Sequence, residues 1–101
     1  AVYSSQWCRC LDTSKLLNIG EVLELPFLNS FFEHFEREKS QTEKTIKWIQ
    51  NAPLDVPTVL VSHQVNISAL TGHSPASGEI VFLRRSSDGS ISVIGSIQTL
   101  N

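Results

Sequence analysis

The sequence of 101 residues contains no methionine and only two cysteines. The missing methionine includes position 1, where the chain opens on Ala-Val-Tyr-Ser-Ser. The expectation is a processed start or a piece cut from a longer chain. The cysteines, Cys8 and Cys10, are one residue apart. On one helical turn they would point away from each other, which argues against a mutual disulfide. No histidine stands near them, so they make no zinc site. They read as packing residues and do not fix a compartment. There is no run of lysine or arginine and the net charge is −2, so a nucleic-acid partner is not expected. No apolar stretch approaches the roughly 20 residues that span a bilayer, and no signal peptide is seen. The expected setting is aqueous, the cytoplasm or a bacterial periplasm, with no membrane partner, metal or cofactor.

What is present suits one globular domain over residues 1–101, with 41% hydrophobic and 18% charged residues. The chain is organised around residues 58–72. Thr58, Val59, Leu60 and Val61 form a continuous apolar run ending at Ser62, which reads as a strand buried on both faces of a parallel sheet. Residues 64–71, with Val65, Ile67, Ala69 and Leu70 ahead of Gly72, read as a short helix with a glycine stop. His63 lies at the joint. The mouth of a helix just past the carboxyl end of a parallel strand is the usual ligand crevice of an α/β sheet, and its free N–H groups favour an anion. Taken alone, His63 reads first as a satisfied loop histidine. The joint also makes it a candidate acid/base or phosphate-binding residue.

The rest of the chain follows an α/β pattern. Residues 1–4 read as a strand. Ser5 is placed to cap a helix through Ile19, with Trp7, Cys8, Leu11 and Leu17 on its apolar face and Gly20 at its end. Residues 21–28 read as an extended connector holding Pro26. Residues 29–39 read as a helix carrying Phe31, Phe32 and Phe35, with Ser30 and Glu33 at capping-box spacing. Residues 40–51 read as another, with Ser40 and Glu43 as its box, Glu43 and Lys47 as a pair, and Ile46 and Ile49 facing inward. Residues 79–84 and 91–98 flank Ser-Asp-Gly-Ser and read as an antiparallel hairpin. The expected architecture is a three-layer α/β/α domain with a mostly parallel sheet and a C-terminal hairpin at its edge. His34, His73, Arg84 and Arg85 read as solvated surface groups.

Arg9 falls at the first strand-to-helix joint, where a cation opposes the helix dipole unless an anion sits there. A solvated arginine is the competing reading. If both strands belong to one parallel sheet, Arg9 and His63 open on the same edge, and together they suit a phosphoryl group.

Two motifs then resemble the histidine phosphatase (phosphoglycerate mutase-like) superfamily. Residues 4–13, Ser-Ser-Gln-Trp-Cys-Arg-Cys-Leu-Asp-Thr, are similar to its Ser-x-x-x-Arg-x-x-x-Thr segment. Residues 59–63, Val-Leu-Val-Ser-His, are similar to its Val-Leu-Val-(Ser/Thr)-His segment. The resemblance implies hydrolysis of a phosphomonoester or phosphohistidine through a phosphohistidine intermediate. It implies that Arg9 grips the phosphoryl oxygens, that His63 hydrogen-bonds the group and stabilises its charge, and that Gln64 offers a backbone N–H. Glu33 is the carboxylate nearest the family's general-acid segment, while Ser30 stands at the aligned place. The implied partner is a phosphorylated small molecule or a phosphohistidine protein.

The family's nucleophile, the histidine of an Arg-His-Gly motif, has no counterpart here, because none of His34, His63 and His73 follows an arginine. The chain by itself is expected to be inactive, as the later part of a phosphatase domain or as a non-catalytic phosphate-binding domain. The family's first strand is expected to be missing from inside the sheet, beside the strand ending at His63. Unpaired strands would then drive self-association, or the hairpin or residues 1–4 would close the gap.

Overall fold

The computed structural model describes residues 2–54 and 57–98. Three short parallel strands, β1 (Val2–Ser4), β2 (Val22–Glu24) and β3 (Val59–Val61), form a sheet in the order β2-β1-β3. The register aligns Val2 with Val22 and Val59, and Ser4 with Glu24 and Val61. Helix α1 (Cys8–Leu17) joins β1 to β2, and α2 (Glu38–Asn51) joins β2 to β3. The first crossover steps outward from β1 and the second steps back past it. Right-handed crossovers therefore place α1 and α2 on opposite faces. Alternation along β1 agrees. Val2 and Ser4 are fully buried on one face, and Tyr3 turns to the other, where its ring meets Trp48 of α2 edge-on at 4.5 Å. Helix α3 (Gln64–Thr71) follows β3 and packs on α2.

Several elements differ from the sequence expectation. Helix α1 starts at Cys8, because the Ser5 hydroxyl accepts the Trp7 N–H at 3.2 Å and is not available as a cap. It stops at Asn18, which takes the left-handed conformation (φ 50°) before Gly20 is reached. The expected face of Trp7, Cys8, Leu11 and Leu17 is not the buried one. Cys10 and Ser14, one turn apart, are buried, while Trp7, Cys8 and Leu17 are exposed. Two small side chains let the helix lie close to the sheet, and the Ser14 hydroxyl is satisfied by donating to the Cys10 carbonyl at 2.8 Å.

The connector 21–28 holds β2 and a 3-10 turn over Pro26–Leu28. The helix expected over 29–39 does not form. Ser30 Oγ accepts the Phe32 N–H at 3.2 Å, and Glu33 takes a left-handed φ of 69°, so Ser30 and Glu33 make no capping box. Phe31 turns inward and is buried, while Phe32 and Phe35 stay exposed around a 3-10 turn, Phe35–Arg37. Helix α2 then begins at Glu38, which puts Ser40 inside it and leaves that box without a role. Ile49 and Thr45 are buried, and no Glu43–Lys47 ion pair forms among the described residues. Strand β3 is half-buried, not buried on both faces.

The chain's second half matches more closely. Helix α3 ends at Gly72, whose φ of 76° suits glycine and whose N–H closes on Ser68 at 2.8 Å. Strands β4 (Glu79–Arg85) and β5 (Ile91–Gln98) form the antiparallel hairpin. The class is thus mixed α/β with a parallel sheet and a C-terminal hairpin. The hairpin is a separate two-stranded sheet, however, with no ladder to β3. On its side away from β1, β3 pairs with no strand among the described residues. Neither the hairpin nor β1 occupies that edge.

Arg85 is a clasp and not a solvated charge. Its Nη1 donates to the carbonyls of Ile49, Gln50 and Ala52 at 2.8, 3.2 and 2.6 Å. These include the unpaired carbonyls at the end of α2, where a cation is favoured. Arg85→Ala is expected to lower stability by about 1–2 kcal/mol, allowing for partial exposure. Urea unfolding checks this.

Candidate functional site

In the order β2-β1-β3, the connections leaving the carboxyl ends of β1 and β3 diverge. An open sheet binds ligands at such a switch point. The residue after β1 is Ser5, and His63 lies just beyond β3 as the N-cap of α3. Their side chains meet there, with Ser5 Oγ 2.9 Å from His63 Nε2. The sheet itself sets this contact, because the Ser5 N–H continues the β1–β3 ladder onto the Val61 carbonyl at 2.9 Å.

Asn29 organises the surrounding network. Its Oδ1 accepts the backbone N–H of Gln6 at 2.7 Å, which identifies that atom as the oxygen. The Ser5 hydroxyl donates to the same oxygen at 3.1 Å. Its proton is then used, so His63 must be the donor in the Ser5–His63 bond. The imidazole therefore carries its proton on Nε2 and leaves Nδ1 free. Asn29 Nδ2 donates to Gln6 Oε1 at 3.0 Å, and the Asn29 carbonyl accepts Gln41 Nε2 and Asn66 Nδ2 at 2.7 and 2.8 Å. Trp7 stands edge-on to the imidazole at 4.6 Å, and Cys10 Sγ lies 3.6 Å from Nε2.

Burial lowers the His63 pKa from its ordinary 6.5. The ring is thus neutral near pH 7. Burial raises the Cys10 thiol above its ordinary 9.0, so it is not a ready thiolate. Ser5 is fully buried and cannot reach a substrate as a nucleophile.

The His63 shift has a consequence for stability. As pH falls, the unfolded chain takes up this proton before the folded one. The contribution is complete above 6.5 and is lost as pH falls through the lowered folded pKa. The urea midpoint should fall as pH drops below about 6.5, and the fall should be smaller in His63→Gln.

The structure brings His63 against the first turn of α1, which holds Arg9. The Arg9 side chain is exposed and makes no hydrogen bond or ion pair among the described residues. Gln64 opens α3, and its Nε2 donates to the Pro75 carbonyl at 3.1 Å. Glu33 lies in its exposed turn with no bond to His63. A hollow of about 440 Å³ adjoins Gln64, lined by Phe31, Phe35, Glu38, Val65 and Ser68 among others. Among the described residues no group of three His, Cys, Asp or Glu side chains is placed to hold a metal, and no helix is long and apolar enough to cross a membrane.

Sequence reasoning missed Ser5, Asn29, Trp7 and Cys10 as neighbours of His63. Ser5 had a usable signal, since it follows β1 much as His63 follows β3. Asn29 had none, because its role depends on the non-helical turn after Leu28. No protein-family model, curated protein or solved structure matches the chain.

Proposed function

We propose that this chain is a histidine phosphatase-like domain whose crevice binds a phosphoryl group or a similar tetrahedral anion, and that the chain by itself does not turn it over. The observation that carries this reading is the meeting of His63 with the Arg9-bearing turn of α1 at the carboxyl ends of β1 and β3. An anion there would gain from the N-terminus of α3. It would also draw a proton onto the free Nδ1 of His63, and the Arg9 guanidinium, which has no partner among the described residues, would close over it as a fork. The intact activity proposed for such a domain is hydrolysis of a phosphomonoester or phosphohistidine through a phosphohistidine intermediate.

Binding without turnover follows from the nucleophiles on hand. Ser5 is sealed in. His34 is exposed beside Glu36 at 3.4 Å, and His73 is paired with Glu79 at 2.7 Å. Among the described residues neither His34 nor His73 is bonded to Ser5, Asn29 or His63, and the sequence holds no Arg-His-Gly motif, which supports a phosphate-binding role over catalysis for this chain.

Calorimetric titration with orthophosphate and orthovanadate tests the reading, alongside an assay with p-nitrophenyl phosphate. Binding is expected with no hydrolysis above background. Arg9→Ala and His63→Gln should each weaken binding at least about tenfold. Unchanged affinity in both folded variants would contradict the proposal.

A further inference from the structure

The hairpin's outer strand lacks the charges and prolines that usually protect a sheet edge. Strand β5 contains no Lys, Arg, Asp, Glu or Pro. Its inner edge is paired with β4, and its outer edge pairs with no strand among the described residues. Every residue of β5 after Ile91 is exposed. The only irregularity is a bulge at Ile94, which leaves residues 95–98 as a regular edge. Ile80 and Ile97 stand opposite each other and share a face with Phe82 and Gly95. The three large apolar side chains of that face are exposed, with Arg84 beyond them at its turn end. An isolated two-stranded ribbon is marginal in water, and a third strand extending an apolar face is what it lacks.

Charge decides which strand fits. The hairpin's charges, Glu79, Arg84, Arg85 and Asp88, all lie on β4 or in the turn. The free edge is neutral, so a charged strand finds no complement there. A second β5 meets no like charge and offers the same apolar residues. We propose that two copies of this chain associate by antiparallel pairing of β5 with β5 about a two-fold axis normal to the sheet. Such an axis keeps each face on its own side, so both Ile80–Phe82–Ile97 patches join into one apolar face of a four-stranded sheet, an isologous contact.

Sedimentation velocity over about 5–500 µM, with amide exchange at both ends of that range, tests this. A monomer–dimer equilibrium is expected, with β5 amides gaining protection as concentration rises while those of α1 and α2 do not. Ile94→Lys should raise the dissociation constant at least about tenfold. Ser92→Glu, placed opposite Arg84 where it suits the folded hairpin, should do the same if the lysine variant fails to fold. A monomer throughout, open-ended assemblies, or a dimer indifferent to whichever variant folds would overturn the proposal.

Discussion

Phe31→Ala is expected to remove about 3–5 kcal/mol of stability, the range for emptying a buried phenyl site. Phe31 is 1% exposed, and the buried apolar set it belongs to is small: among the described residues its other members are Val2, Cys10, Leu28 and Ile49. A domain of this size holds about 5–15 kcal/mol in total, so the variant should sit near the edge of folding at room temperature. The neighbouring Phe35 touches Phe31 edge-on at 5.8 Å but remains exposed. Phe35→Ala should therefore cost less than about 1 kcal/mol. Urea denaturation followed by circular dichroism checks both. Equal losses would show that the turn at 29–34 does not hold Phe31 as described.

Asn29→Ala is expected to cost about 1–3 kcal/mol, because it leaves the Gln6 N–H and the Ser5 hydroxyl without their acceptor. It should also switch the tautomer of His63. In the native network the Ser5 proton is committed to Asn29, so His63 donates through Nε2. Without Asn29, the Ser5 hydroxyl is free to donate to Nε2, and the ring proton moves to Nδ1. Nitrogen-15 spectra of the imidazole separate the two forms. An Nδ1–H tautomer in the native chain, or no change in the variant, would contradict this proton assignment.

The elements legible in the sequence are those with a strong local cause. Strand β3, the His63 joint, α3 with its Gly72 stop, and the hairpin turn each follow from residues within a few positions. The misread elements depend on distant partners. The buried face of α1 is set by the sheet, which selects small Cys10 and Ser14 over bulky Trp7 and Leu17. At 29–34 the aromatic spacing suggests a helix, whereas of its three phenylalanines the core accepts only Phe31. Arg85 looks like a surface charge until the end of α2 is placed beside it. At the candidate site, the two joints and their shared sheet edge were readable. The place of Ser5 at the end of β1 was readable too, but its bond to His63 and the role of Asn29 were not, since these come from side-chain bonds across long stretches of chain.

The most direct measurement is a phosphate titration followed by nitrogen-15 spectra of the arginine side chains and the histidine rings, with chloride as the control. The account predicts saturable shifts of Arg9 Nε and of His63, protonation of His63 Nδ1 on binding, and no comparable response from His34 or His73. Phosphate that leaves both Arg9 and His63 unmoved, or that shifts them no more than chloride does, would contradict it.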